Sequence, residues 1–161
     1  MIDWDNRQEW LEQLPHRSQV MFALFCAKQI EPLWKTNITS VNSVAAAERW
    51  LEGKATAEEC RMFAYSSNSS GAAVYTAAYA ANSCAYAATS SYDGAAHAKM
   101  GAHYAVDALH IFHSTTVADN ADNADNAVES LKQKQVEYLR ELYLETLPEE
   151  HRDGWLLQAC L

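Results

Sequence analysis

Gly71-Ala72-Ala73-Val74-Tyr75-Thr76-Ala77-Ala78-Tyr79-Ala80-Ala81 opens a stretch that runs to His113 and decides the fold. Alanine is the strongest helix former, because it loses no side-chain entropy and buries no polar group. No proline interrupts the stretch, and Ser90-Ser91-Tyr92-Asp93-Gly94 reads as a turn. The pattern predicts two helices that cross their neighbours closely, because methyl side chains let helix axes approach the short end of the usual range of about 8–10 Å. One buried alanine contributes only about 0.8 kcal/mol. The larger residues must therefore carry the packing: Tyr75, Tyr79 and Tyr86 near one face, then Met100, Tyr104 and Leu109. Asn82, Ser83, Thr89, Asp93, His97, Lys99, His103 and Asp107 recur too often for a membrane span.

Outward from this pair, strand signals are scarce: β-branched runs are absent and only 5 glycines occur in 161 residues. The expectation is an all-α protein, one domain over residues 1–161, built as a compact bundle of about six to seven helices around the Ala-rich pair. The net charge of −9 makes DNA or an anionic membrane a poor partner and a basic protein a good one. Cys26, Cys60, Cys84 and Cys160 are scattered without a Cys-x-x-Cys and read as small core residues with reduced thiols. Met1-Ile2-Asp3-Trp4-Asp5 carries neither the basic nor the apolar region of a secretory signal, so a cytoplasmic location is expected.

Taken in order, Asp3 or Asp5 can cap a first helix that reaches Leu14 and stops at Pro15, with Trp10, Leu11 and Leu14 on one face. Arg17 to Ile30 is the next helix, apolar nearly all round from Val20 to Ala27 and therefore buried on several sides. Glu31-Pro32 closes or kinks it. Lys35 to Ser40 reads as a polar connection, and Asn42 or Ser43 as the cap of a short helix with Val44, Ala47 and Leu51 on one face. Gly53 stands where a left-handed residue ends a helix. Thr56-Ala57-Glu58-Glu59 is a capping box opening a helix to about Ser67, with a break at 66–71. Three copies of Ala-Asp-Asn at 118–126 read as a solvated loop. Ala127 to Leu147 is the clearest amphipathic helix. Val128, Leu131, Leu139, Leu142 and Tyr143 point inward with Val136 at the edge, and Glu137, Glu141 and Glu145 point outward.

Charge is concentrated late in the chain: net −1 over residues 1–55, −2 over 56–117 and −6 over 118–161. Like charges four apart on a helix cost a few tenths of a kcal/mol per pair. The glutamate series accepts that cost twice, with Lys134 and Arg140 offsetting part of it. An acidic face of this kind is either ordinary solvated surface or a surface that steers a basic partner. The candidate partner-binding residues are Asp119, Asp122, Asp125, Glu137, Glu141 and Glu145. His103, Asp107 and His110 share a helix face and could hold part of a metal site if His97 or His113 completed it. A histidine hydrogen-bonded to Asp107 explains the same residues without metal. No hydrolase elbow, phosphate loop or zinc-protease motif occurs. No catalytic residue, cofactor or metal is therefore assigned.

The order of features resembles the all-helical immunity proteins of bacterial polymorphic toxin systems. The features are the apolar helix Val20 to Ala27, a short helix, the Thr56 start, the Ala- and His-rich pair with Ala96-His97-Ala98 and Ala102-His103, and a last helix ending Leu147-Pro148 before Arg152. The likeness covers about residues 17–155 and is compositional. It departs from the family at Leu142-Tyr143, where a Trp-Gln pair would stand. The resemblance implies a protein that binds and neutralises a cognate toxin in the producing cell. Two other readings fit an acidic helical chain: an inhibitor of a defence nuclease, or a metal-dependent helical enzyme using His103, Asp107 and His110.

Overall fold

The structure is a computed structural model that describes residues 1–64, 72–116, 121–149 and 151–152. All regular structure among them is helical, in eight helices: α1 (Arg7–Gln13), α2 (His16–Gln29), α3 (Glu31–Trp34), α4 (Ile38–Leu51), α5 (Ala57–Ala64), α6 (Ala72–Thr89), α7 (Gly94–Thr116) and α8 (Ala121–Thr146). The short α3 is the one not anticipated. Glu31-Pro32 restarts a helical turn where a stop or kink was expected, because proline is tolerated at a helix start.

The Ala-rich pair is the centre. α6 and α7 form the most extensive helix pair, and α2, α3, α4 and α5 close over the rest of α6. From Ala77 to Ala88 every residue of α6 except Tyr79 and Tyr86 is buried. A helix enclosed on all sides has no polar stripe, and its neighbours come close only if its side chains are small. Gly101 marks a close approach of α7 to α6, since a Cβ there would lie 3.1 Å from Ser83 Cβ and 3.7 Å from the Ala80 carbonyl oxygen. Phe22, Leu11, Ile2, Ile30, Leu139 and Leu142 supply the bulk that alanine lacks, all essentially fully buried. No described helix is long and apolar enough to cross a membrane.

Local signals placed several boundaries. Gly53 takes φ +71° after α4. Thr56 and Glu59 form the capping box: the Glu59 amide donates to Thr56 Oγ1 at 3.2 Å and the Thr56 amide to Glu59 Oε2 at 2.6 Å. Elsewhere the structure corrects the reading. α1 begins at Arg7, because Asp3 is spent one turn earlier, accepting from the Asp5 and Asn6 amides at 2.9 Å each. α4 begins at Ile38, inside the expected connection. Asn37 caps it through the Thr39 and Ser40 amides, at 3.0 and 3.3 Å. Asn42 and Ser43 therefore cap nothing. Ser43 faces the core, its hydroxyl within hydrogen-bonding distance of the Phe63 carbonyl and Asn82 Oδ1, both at 2.8 Å.

The Ala-Asp-Asn triplets are not a loop where they are described, since residues 121–126 form the first turns of α8. A three-residue repeat runs close to the helical period, so Ala124 is buried and leads along the inward stripe to Leu131. Residues 118–120, the expected break at 66–71 and Cys160 lie outside the described residues.

Candidate functional site

α8 lies at the edge of the bundle, packed on α7, α2 and α1. Leu131, Val136, Leu139 and Leu142 are buried, so the opposite face is free to be polar. Glu137, Glu141 and Glu145 are exposed along that face, and Asp125 is exposed more than three turns upstream. Asp122 is placed in the first turn of α8 by its backbone, and Asp119 lies outside the described residues. The structure thus brings the three glutamates onto one ridge, with Asp125 on an earlier part of the same helix.

None of the three glutamates makes an ion pair among the described residues. Glu137 accepts from Gln133 Nε2 at 3.1 Å. Arg140, expected to offset them, is turned away: its Nη2 donates to the Ile2 carbonyl at 2.7 Å and its Nε is buried. Lys132 pairs with Glu129 at 3.6 Å, Lys134 stands exposed three residues before Glu137, and Arg152 Nη2 donates to the Glu145 carbonyl at 3.4 Å. Two aromatic residues accompany the glutamates. Tyr138 stacks on Phe25 with centroids 4.1 Å apart, and Tyr143 meets Trp10 edge-on at 4.9 Å. The Tyr138 phenol has a raised pKa, first from burial and then from the negative charges of Glu145 and Glu141. The hydroxyl therefore stays a neutral donor well into the alkaline range.

The histidine-rich face of α7 does not assemble into a metal site. His103 Nε2 lies 3.4 Å from Asp107 Oδ2, while His110 is exposed further along the helix. His97 instead stacks on Tyr86 at 5.1 Å, and burial lowers its pKa. His113 lies edge-on to Phe112. Among the described residues no group of three or more His, Cys, Asp or Glu side chains is placed to hold a metal ion. Cys26, Cys60 and Cys84 are buried thiols, their pKa values pushed up chiefly by burial, as the core reading expected.

A second feature had no forecast in the sequence. Between α1 and α7 lies a groove of about 430 Å³, with Arg7, Gln8, Lys99 and His103 among its lining residues. It depends on two helices that meet although Gln8 and Lys99 are 91 residues apart, so no local pattern announces it. The only sequence signal is that Lys99 is the sole lysine or arginine between Gly71 and His113.

No family model matches the chain, and neither a curated protein nor a solved structure matches it.

Proposed function

We propose that this protein acts by binding a cationic protein, as an immunity-type inhibitor that neutralises a cognate bacterial toxin in the producing cell. The observation that carries the reading is the α8 ridge. Glu137, Glu141 and Glu145 stand exposed in register, with Arg140 directed away from them. Like charges four apart are a cost in the free protein that an oppositely charged partner removes. Tyr138 and Tyr143 beside the ridge supply aromatic surface of the type that dominates interface energies, and the glutamates supply the field that guides encounter. If the partner is a nuclease, a row of carboxylates can stand in for the phosphates its basic groove binds.

The test begins with capture of a basic protein by the tagged chain from the producing cell, followed by co-expression to see whether the chain relieves that protein's toxicity. The double variant Glu141→Lys/Glu145→Lys should then slow association at low salt by about tenfold or more, with a much smaller effect at high salt. An unchanged on-rate removes the ridge from the interface. A captured partner with an acidic binding surface overturns the reading altogether.

A further inference from the structure

We propose that the groove between α1 and α7 is a binding site for a small organic carboxylate with an apolar body. Its volume, about 430 Å³, is that of a small-ligand pocket. In a chain of net charge −9, its lining is cationic: Arg7 and Lys99 from the two sides, with His103 beside them. Arg7 is the anchor. It is only 6% exposed, its guanidinium stacks 3.6 Å over the Trp4 ring, and Nη1 donates to the Trp4 carbonyl. Its Nε is buried out of a ligand's reach and Nη1 is spent on Trp4, which leaves Nη2 to meet an anion, and among the described residues no carboxylate pairs with the guanidinium.

A buried guanidinium is costly unless an anion meets it, and a carboxylate can take a charge-assisted hydrogen bond from Nη2. Burial lowers the Arg7 pKa, against smaller opposing effects of Cys26 and of the Asp5 charge. Lys99 Nζ donates across the groove to Gln8 Oε1 and keeps further N–H bonds free. Gln8 is itself held, its Nε2 donating to Glu12 Oε1 at 2.8 Å. Asp107 sits against His103 and reserves that imidazole for itself, which leaves Arg7 and Lys99 as the anion's partners. The remaining lining, Ala96, Met100 and Tyr104, is apolar or aromatic. A bare inorganic anion would leave it uncovered, whereas an aryl or alkyl group would fill it.

Isothermal titration of the full chain with phenylacetate, phenylacetamide and inorganic phosphate tests the assignment. Phenylacetate should bind one-to-one, with the neutral amide weaker by about tenfold or more, as expected for loss of a charge-assisted contact. Phosphate should bind more weakly than phenylacetate. Lys99→Met should weaken the acid about tenfold and leave the amide unchanged. Ala96→Trp, at an exposed position on the groove wall, should abolish binding of the acid while the helical circular dichroism stays that of the parent. Equal affinity for acid and amide, phosphate binding as tight as phenylacetate, an unaltered Lys99→Met, or no saturation by phenylacetate up to about 10 mM would each overturn the proposal.

Discussion

Ser43→Ala removes one oxygen atom from the middle of the bundle and should cost far more than that atom's size suggests. The Ser43 hydroxyl lies 2.8 Å from the Phe63 carbonyl, 2.8 Å from Asn82 Oδ1 and 3.0 Å from the Thr39 carbonyl, three acceptors on α5, α6 and α4 that share its single proton. Ser43 is 0% and Asn82 2% exposed, so water cannot take over its role without opening the core. A hydroxyl has one proton, so the variant loses one donated bond, a net contribution of about 1 kcal/mol. It also leaves the acceptor that held the proton without it inside the core, and an unsatisfied buried polar group costs about 1–3 kcal/mol. The sum is about 2 kcal/mol, or a fall in Tm of about 4–8 °C for a chain of this size. Urea unfolding followed by far-ultraviolet circular dichroism and by tryptophan fluorescence measures it, with an unchanged m-value confirming that the denatured state is not responsible. The double variant Ser43→Ala/Asn82→Ala should be less damaged than the sum of the singles by about 1 kcal/mol, because each single strands the other's partner. A Ser43→Ala protein within about 0.5 kcal/mol of the parent, the level of an ordinary surface change, would refute the bridging role.

Three further outcomes follow from the same packing. Gly101→Ala should change stability by less than about 1 kcal/mol, because the helix-propensity gain is offset by a Cβ at 3.1 Å from Ser83 Cβ, whereas Gly101→Leu should cost about 3 kcal/mol; an unaltered Tm for the leucine variant would show that α6 and α7 do not meet this closely. Gln135→Met should raise stability by about 1 kcal/mol, since both amide atoms of Gln135 are buried with no hydrogen-bond partner among the described residues, and a loss on urea unfolding would contradict it. Glu59 has a pKa held below its usual 4.5, first by the Thr56 amide and then by the Thr56 hydroxyl, so it binds fewer protons folded than unfolded. Its charge therefore stabilises the fold above pH 4.5 and that stabilisation fades as pH falls through the lowered value, so the gap between the parent and Glu59→Gln should narrow on acidification below 4.5. A gap independent of pH would mean that the carboxylate's charge does not serve the cap.

The helical architecture was legible because its signals are short-range. Alanine propensity, the Ser90–Gly94 turn, Gly53 and the Thr56 box each act within a few residues, and each stands where the sequence puts it. The outward direction of Glu137, Glu141 and Glu145 was legible for the same reason, since one helical period relates them to the buried stripe. Arg140 was misjudged because a long side chain answers to whatever backbone lies within reach, here the carbonyl of Ile2 at the other end of the chain. The Arg7 and Lys99 groove was invisible on similar grounds: each residue alone is an ordinary helix-surface cation, and only the docking of α1 on α7 brings them together.

Ser40, which reads as part of a polar connection, and Ser43, which reads as a cap, are buried for a reason particular to this composition. Small polar residues usually mark solvent, yet in a bundle held together by alanine they are among the few side chains short enough for the seam. Asn82 and Ser83 lie buried in α6, and Ser83 Oγ turns back to the Tyr79 carbonyl at 2.8 Å. Methyl groups alone fit many relative positions of two helices almost equally well, because a smooth surface offers no lock. A directional contact such as Ser43 to Asn82 or Phe63 is satisfied in only one register. The buried polar residues thus do for this alanine core what large interlocking side chains do in an ordinary one: they select a single alignment of α4, α5 and α6 at little cost in helix separation. On that argument Ser43→Ala/Asn82→Ala should lose uniqueness as well as stability, giving broadened amide and methyl resonances at positions along α4 and α6. A double variant with sharp spectra would show that alanine packing alone defines the register.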